Sequence, residues 1–220
     1  MNKIIAIDGP AGSGKGTIAK IIADKCNLLY IDSGATYRCV ALAMLKNNID
    51  INNEEKVIEL AKNLDIKFLD GKTFLDGKDV SDDIRSKEVT SIVSFVSNNV
   101  RLRKILVNLQ RNMAKNNNVI MEGRDITTVV FPNANYKFYL DADLNIRAKR
   151  RFIQNQEKNI NMSLEEIVDN ISKRDYNDMN KSVGALVRTD DQIYIDSTNM
   201  TIEEVTDKII EIVGREELWI

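Results

Sequence analysis

The stretch that most constrains this chain is Gly9-Pro10-Ala11-Gly12-Ser13-Gly14-Lys15-Gly16-Thr17. An apolar run, Ile4 to Ile7, precedes it, and Ile18-Ala19-Lys20-Ile21-Ile22-Ala23 follows. The first reads as a buried parallel strand and the second as the opening turns of a helix. Strand, glycine-rich loop, lysine and helix make a cradle for a nucleotide polyphosphate. The glycines let backbone N–H groups converge on phosphate oxygens, the helix N-terminus adds its dipole, and Lys15 reaches the β- and γ-phosphates. The spacing Gly9-x4-Gly14-Lys15 fits that loop with one departure: Gly16 follows the lysine, and the hydroxyl comes one place later, at Thr17. A glycine-rich turn with no ligand is the bland alternative, and the flanking strand and helix argue against it. The motif points to a bound nucleoside triphosphate without saying what is done with it.

Five short apolar runs end at acidic residues: Ile4–Ile7 into Asp8, Leu28–Ile31 into Asp32, Val119–Met121 into Glu122, Lys137–Leu140 into Asp141, and Ile193–Ile195 into Asp196. Runs without alternation, separated by helical patterns, predict an α/β fold with a parallel sheet covered on both faces. Ligands of such sheets bind outside the carboxyl ends of the strands. Those ends carry Gly9–Thr17, Ser33-Gly34, Gly123-Arg124-Asp125, Asp141 and Ser197-Thr198. Asp141 and Asp196 are expected simply to cap the following helices.

Between the second and third runs lies a long excursion. Thr36–Lys46 and Asn53–Asn63 read as helices, the second capped by Asn52 or Asn53. Ile66–Leu69 and Thr73–Leu75 flank Asp70-Gly71-Lys72 and read as a hairpin, and Asp76-Gly77 begins a second turn. Ser86–Lys115 is helical with a break near Asn98-Asn99. The excursion is too long for a simple crossover and predicts an inserted subdomain that moves on the core. Later, Asn145–Asn155 forms a basic helix, residues 154–162 a polar mobile loop, and Ser163 with Glu166 a capping box. That box opens a helix running towards Arg174, Asp175 and Asp178. Thr201–Gly214 reads as a packing helix.

Composition narrows the chemistry. The 220 residues suffice for one core with modest insertions. Lys and Arg number 31 against 33 Asp and Glu, so wholesale nucleic-acid binding is not expected. There is no secretory pattern and no apolar run long enough to span a bilayer, so a soluble cytoplasmic protein with no membrane partner is expected. Cys26 and Cys39 are expected as reduced, buried thiols. Histidine is absent, which excludes Ser-His-Asp and Cys-His hydrolysis and His-ligated zinc. Phosphoryl transfer survives, because it relies on positioning and charge neutralisation by Lys, Arg and Mg²⁺.

The segments Gly-Pro-Ala-Gly-Ser-Gly-Lys-Gly-Thr (9–17), Ile-Asp-Ser-Gly-Ala-Thr-Tyr-Arg (31–38), Glu-Gly-Arg-Asp-Ile-Thr-Thr-Val-Val-Phe-Pro (122–132) and Lys-Arg-Asp-Tyr-Asn-Asp (173–178) resemble the bacterial cytidylate kinases, in order and across essentially the whole chain. The loop is shared by all nucleoside monophosphate kinases; the second and third segments are far more specific. The resemblance implies a three-layer α/β/α P-loop kinase fold with a five-stranded parallel sheet. Its core would comprise 1–36, 99–146 and 177–220, with a nucleoside-monophosphate-binding subdomain over 37–98 and a short helical lid over 147–176. It implies transfer of the ATP γ-phosphoryl to CMP or dCMP with Mg²⁺, with Lys15, Arg124, Arg150 and Arg174 as the catalytic cations; a monomer is the default expectation.

The acceptor is already an anionic phosphate, so no general base is needed, and several fixed cations must bring two polyanions together. Arg suits this because its fork grips phosphate bidentately. By the resemblance, Arg38, Arg124 and Arg174 hold the acceptor phosphate with Ser33. Taken alone, Arg38 reads equally as a solvated helix residue. Cytosine presents a donor amine at N4 and an acceptor at N3, which uracil inverts, so a carboxylate facing N4 and an Arg facing N3 would select it. The resemblance assigns that edge to Asp125, Ser94 and Arg103, and the ribose hydroxyls to Asp178. Where the family carries a further Arg this chain has Lys181, expected still to approach the phosphate. Arg150 and Arg151 are expected to fold over the ATP phosphates, with Arg147 evenly balanced between that role and a solvated face. Thr17 stands near the metal, with Glu122 or Asp32 as water-mediated partners.

Three other readings remain. A UMP or AMP kinase is disfavoured by the Asp125, Arg103 and Ser94 set. A GTPase-type switch needs Asn-Lys-x-Asp, and Asn180-Lys181-Ser182-Val183 lacks the Asp. An RNA-associated protein is disfavoured by the acidity and the lack of aromatic–basic clusters.

Overall fold

The structure, a computed structural model, describes residues 2–157 and 159–214. In chain order its elements are β1 (Ile4–Asp8), α1 (Lys15–Cys26), β2 (Leu29–Asp32), α2 (Ser33–Lys46), α3 (Glu54–Asn63), β3 (Ile66–Leu69), β4 (Lys72–Leu75), β5 (Lys78–Asp79), α4 (Lys87–Asn98), α5 (Val100–Met113), β6 (Val119–Gly123), β7 (Tyr136–Asp141), α6 (Leu144–Glu157), α7 (Leu164–Met179), β8 (Ile193–Asp196) and α8 (Ile202–Val213). The apolar runs form a five-stranded sheet in the order β2-β6-β1-β7-β8, all parallel. Alternate residues of β1 serve different layers. Ile5 and Ile7 pack with Ile18 and Ile22 of α1 and Val205 and Ile209 of α8. Ala6 faces the layer of Val40 and Met44 from α2 and Leu102 and Leu106 from α5. Full burial of such a side chain stabilises by about 1.5–3 kcal/mol, and this is what holds helices on both faces.

The register aligns the carboxyl ends, pairing Asp8 with Gly123 and Tyr139, and Asp32 with Glu122. The loops that were singled out in the sequence therefore open on one edge of the sheet. The excursion carries β3-β4-β5, a separate antiparallel sheet. Both of its turns are Asp-Gly pairs with positive φ at each residue, as tight hairpins require. The helix break falls where expected: α4 ends at Asn98, and the Asn99 side chain accepts from the Leu102 N–H at 2.9 Å to start α5. The Ser163–Glu166 capping box is present. Cys26 and Cys39 are both buried. Among the described residues no helix is long and apolar enough to cross a membrane.

Three local expectations are corrected. Helix α2 begins at Ser33 rather than Thr36, because Asp32 Oδ1 accepts from the Ala35 N–H at 3.0 Å and caps it earlier. Helix α6 continues through Glu157, so the polar stretch from 154 is helical at its start, and Lys158 lies outside the described residues. Asp141 and Asp196 do not cap helices. Asp143 accepts from the N–H groups of Asn145 and Ile146, and Thr201 caps α8, while Asp196 closes a turn on Thr198.

Candidate active site

The loop between β1 and α1 is fixed by close approach. Gly9 has φ 153°, and a Cβ there would stand 2.0 Å from the Leu140 carbonyl oxygen, a backbone atom that cannot rotate away. Gly9→Ala is therefore expected to cost about 1–3 kcal/mol of stability, read by thermal denaturation. Lys15 is buried, and its Nζ donates to the Pro10 carbonyl at 2.7 Å and to Ser13 Oγ at 3.3 Å. Burial, aided by the Arg124 charge, pushes its pKa down to about 7. Gly16 lies against Glu122, where a Cβ would stand 3.3 Å from Oε1, so little room remains for the usual side chain after the lysine. Thr17 is exposed on the first turn of α1. Burial and the Asp32 charge raise the Glu122 carboxyl, against the pull of Lys15 and Arg124.

The loop apex is clamped by the helices that follow β7. The Ala11 N–H donates to Asp175 Oδ1 at 3.0 Å, and Arg147 donates to the Ala11 carbonyl at 2.9 Å, to the Ala142 carbonyl at 2.8 Å and to Asp175. Arg147, balanced in sequence between phosphate and solvent, is thus a buried brace for the loop backbone. Asp175 was missed, although Ile167, Ile171 and Asp175 at successive fourth places on α7 form its buried face.

Arg150 donates to Ser197 Oγ at 3.1 Å and to the Ser197 carbonyl at 2.6 Å, which directs it to the turn after β8 rather than over the loop. Arg151 is exposed. Burial pulls the Arg38 pKa down against the Asp32 charge, and the Arg85 and Arg151 charges push the same way as burial.

On the other side of Lys15, cations converge on one carboxylate. Asp178 is buried on α7 and accepts from Arg124 Nε at 2.7 Å and from Lys181 Nζ at 2.9 Å; Arg174 Nε stands 3.9 Å away. Burial alone would raise Asp178, but Arg124 and Lys181 outweigh it and hold the carboxyl below its usual range. The Arg174 side chain is 57% exposed, and the neighbouring Arg124 charge pushes its pKa down. Arg124, Arg174 and Lys181 thus gather around one carboxylate beside the loop of Lys15, and several cations held together in this way suit a phosphate anion. Arg38 donates to the Ile84 carbonyl at 3.1 Å and to Thr90 Oγ1 at 2.9 Å, which ties α2 to the inserted segment. Ser33 is buried at the start of α2, with its Oγ close against Gly123.

Arg103 and Asp125 form a buried ion pair. Arg103 also donates to the Ser97 carbonyl at 3.1 Å, lies 5.4 Å from the Tyr37 ring centroid, and keeps its Nε buried without a partner. Burial pushes Asp125 up to about 6 against the pull of Arg103. Gly184, at φ 68°, lies directly over the pair, where a Cβ would be 2.0 Å from Arg103 and 2.7 Å from Asp125 Oδ2. Ser94 is not brought to the pair: it is exposed on α4, and among the described residues no hydrogen bond joins it to Arg103 or Asp125.

A protein-family model described as cytidylate kinase matches residues 5–215. The chain is 45% identical over 209 residues to the cytidylate kinase of Clostridioides difficile (strain 630), across 95% of this chain and 97% of that one. It is 47% identical over 208 residues to the cytidylate kinase of Alkaliphilus oremlandii (strain OhILAs), across 94% and 96%. Among solved structures it is similar to an uncharacterized protein from Eubacterium ventriosum ATCC 27560, with a TM-score of 0.54 at 14% identity over 97% of this chain and 98% of that one, a likeness of fold alone.

Proposed function

The chain belongs to the cytidylate kinase family, and on that premise we propose that it holds ATP in the Gly9–Thr17 loop and CMP or dCMP among Ser33, Arg38, Arg103, Arg124, Asp125, Arg174, Asp178 and Lys181. It is a phosphotransferase that converts CMP and dCMP to their diphosphates. The carrying observation is geometric: β1 and β6 are paired with Asp8 opposite Gly123, so the loop that carries Lys15 and the residue Arg124 leave the same edge of the sheet side by side, and a phosphoryl group between them meets cations from both sides.

The acceptor phosphate needs no proton removed before attack, so the protein's task is to align two anions and neutralise the charge that spreads over the equatorial oxygens. Lys15 bridges donor and acceptor, and Arg124 and Arg174 hold the attacking phosphate. Asp178 accepts from Arg124 and Lys181 and retains lone pairs for the ribose hydroxyls. Asp125 accepts from the cytosine amine while Arg103 donates to N3, with Gly184 closing the edge. Ser94 joins them through a movement of α4. Lys181 contributes charge to the acceptor phosphate through its place beside Asp178. The inserted subdomain is 37–98 and the lid 147–176. From the lid Arg151 reaches across the phosphates, and Arg150 does so by exchanging Ser197 for ATP.

Among the described residues no group of three or more Asp, Glu, Cys or His side chains could hold a metal. Asp32, Glu122 and Thr17 at the loop's edge therefore fit Mg²⁺ whose ligands are chiefly phosphate and water. Bound there, the ion would neutralise the β- and γ-phosphate oxygens. The protein is taken as a monomer, and the two buried thiols suit the cytoplasm.

The test is ADP release from ATP–Mg²⁺ with CMP, dCMP, UMP, AMP and GMP in turn. CMP and dCMP are expected to stimulate it most, and no response to any pyrimidine monophosphate overturns the reading. Asp125→Asn is expected to lower the CMP-over-UMP preference by about 10²-fold, and an unchanged preference removes Asp125 from the base edge.

A further inference from the structure

We propose that Asp8 and Thr127 are positioning residues for pyrimidine selection, holding the turn that carries Asp125 without touching the nucleotide. The inference rests on the reading of Asp125 as a base contact.

Asp8 is the last residue of β1 and is fully buried. Its Oδ1 accepts from the Ile126 N–H at 2.8 Å, and its Oδ2 accepts from the Thr127 N–H at 2.8 Å and from the Thr127 hydroxyl at 2.6 Å. These donors open a single π-helical turn, Ile126–Val130, that starts immediately after Asp125. The first N–H groups of any helical turn lack partners within it, and here one carboxylate takes two of them. The turn then folds back on Asp125, whose carbonyl accepts from the Val129 N–H at 2.8 Å and the Val130 N–H at 3.1 Å. Arg111 of α5 holds the far end, donating to the Val130 carbonyl at 2.8 Å and the Val129 carbonyl at 2.7 Å.

The same turn reaches the segment that covers the Arg103–Asp125 pair. Gln192 donates to Thr127 Oγ1 at 2.5 Å and accepts from the Thr189 N–H at 2.8 Å, five residues along the chain from Gly184. Asp8 also immediately precedes Gly9 of the phosphate loop. One buried carboxylate thus ties the donor loop, the turn behind Asp125 and, through Thr127 and Gln192, the cover over the base edge. Discrimination between cytosine and uracil needs Asp125 placed to within about 0.5 Å, and a turn released from β1 loses that placement.

A merely structural network would lower stability and slow every acceptor alike. A positioning network changes the ratio between acceptors. The experiment measures kcat and KM for CMP and UMP at saturating ATP–Mg²⁺ in the wild type, Asp8→Asn, Thr127→Val and Thr127→Ser. The ratio of kcat/KM for CMP over UMP is expected to fall about tenfold in Asp8→Asn and about threefold in Thr127→Val, carried mainly by a raised KM for CMP. Thr127→Ser, which keeps the hydroxyl, is expected to retain the wild-type ratio. Parallel losses for both acceptors, or an unchanged ratio in Thr127→Val, overturn the inference; if Asp8→Asn does not fold, Thr127→Val decides. A wild type without pyrimidine preference, or Asp125→Asn with the preference intact, removes the base-reading pair and this inference with it.

Discussion

Lys15→Met is expected to lower kcat for CMP phosphorylation by about 10³-fold while leaving the fold intact, because loss of one preorganised donor at developing charge costs on that order. The side chain is buried and its ammonium sits in the loop against the Pro10 carbonyl and Ser13 Oγ. Methionine fills a similar volume and removes a charge whose burial is unfavourable, as the lowered pKa shows. Melting temperature should therefore stay level or rise as activity collapses, and a variant that keeps wild-type kcat would rule out Lys15 as the bridge. The same lysine sets a pH dependence. Its folded pKa is pushed down to about 7, so in the unliganded enzyme the charge is present below that value and is lost as pH rises through it. Bound polyphosphate stabilises the ammonium and holds the proton. The expected profile is a kcat/KM for ATP that falls above about pH 7, with a flatter kcat, since the first reports unliganded enzyme and the second the complex.

Arg124→Ala is expected to reduce kcat/KM for CMP by about 10³-fold, with KM for ATP changing much less. Two losses combine. The guanidinium fork no longer grips the acceptor phosphate, and Asp178 keeps only Lys181 as a close partner, with Arg174 at 3.9 Å. The Asp178 carboxyl, held low chiefly by Arg124 once burial is overcome, then rises towards its ordinary range. That range still lies below about pH 5.5, so Asp178 stays ionised and the loss in Arg124→Ala should be flat from about pH 5.5 to 8. Arg124→Lys should recover only part of the rate, because charge returns without the fork. Initial rates with CMP varied at fixed ATP, from pH 5.5 to 8, decide this; unchanged CMP parameters in the alanine variant exclude a direct contact.

The phosphate loop was legible because its information is local: glycines at fixed spacing, a strand before and a helix after. The Asn99 break and the Ser163 box were legible for the same reason, since each is set by a side chain bonding three residues along the chain. Cap assignment failed at Asp141 where a better placed acceptor, Asp143, lay two residues on. The basic helix was harder. Arg147, Arg150 and Arg151 look alike in sequence, yet one braces the loop, one holds Ser197 and one is exposed. Ser94 was named by resemblance, and the structure leaves it on the surface.

By itself the sequence determined the order and kind of the main elements, the glycine-rich loop between strand and helix, and the family, all of which depend on residues close along the chain. Only the tertiary structure decided which charges face one another. Arg147 meets Asp175 across 28 positions, Arg103 meets Asp125 across 22, and Asp8 meets Thr127 across 119. Such pairings arise from strand order and helix packing, because a buried charge is tolerated only where a partner from another element arrives beside it.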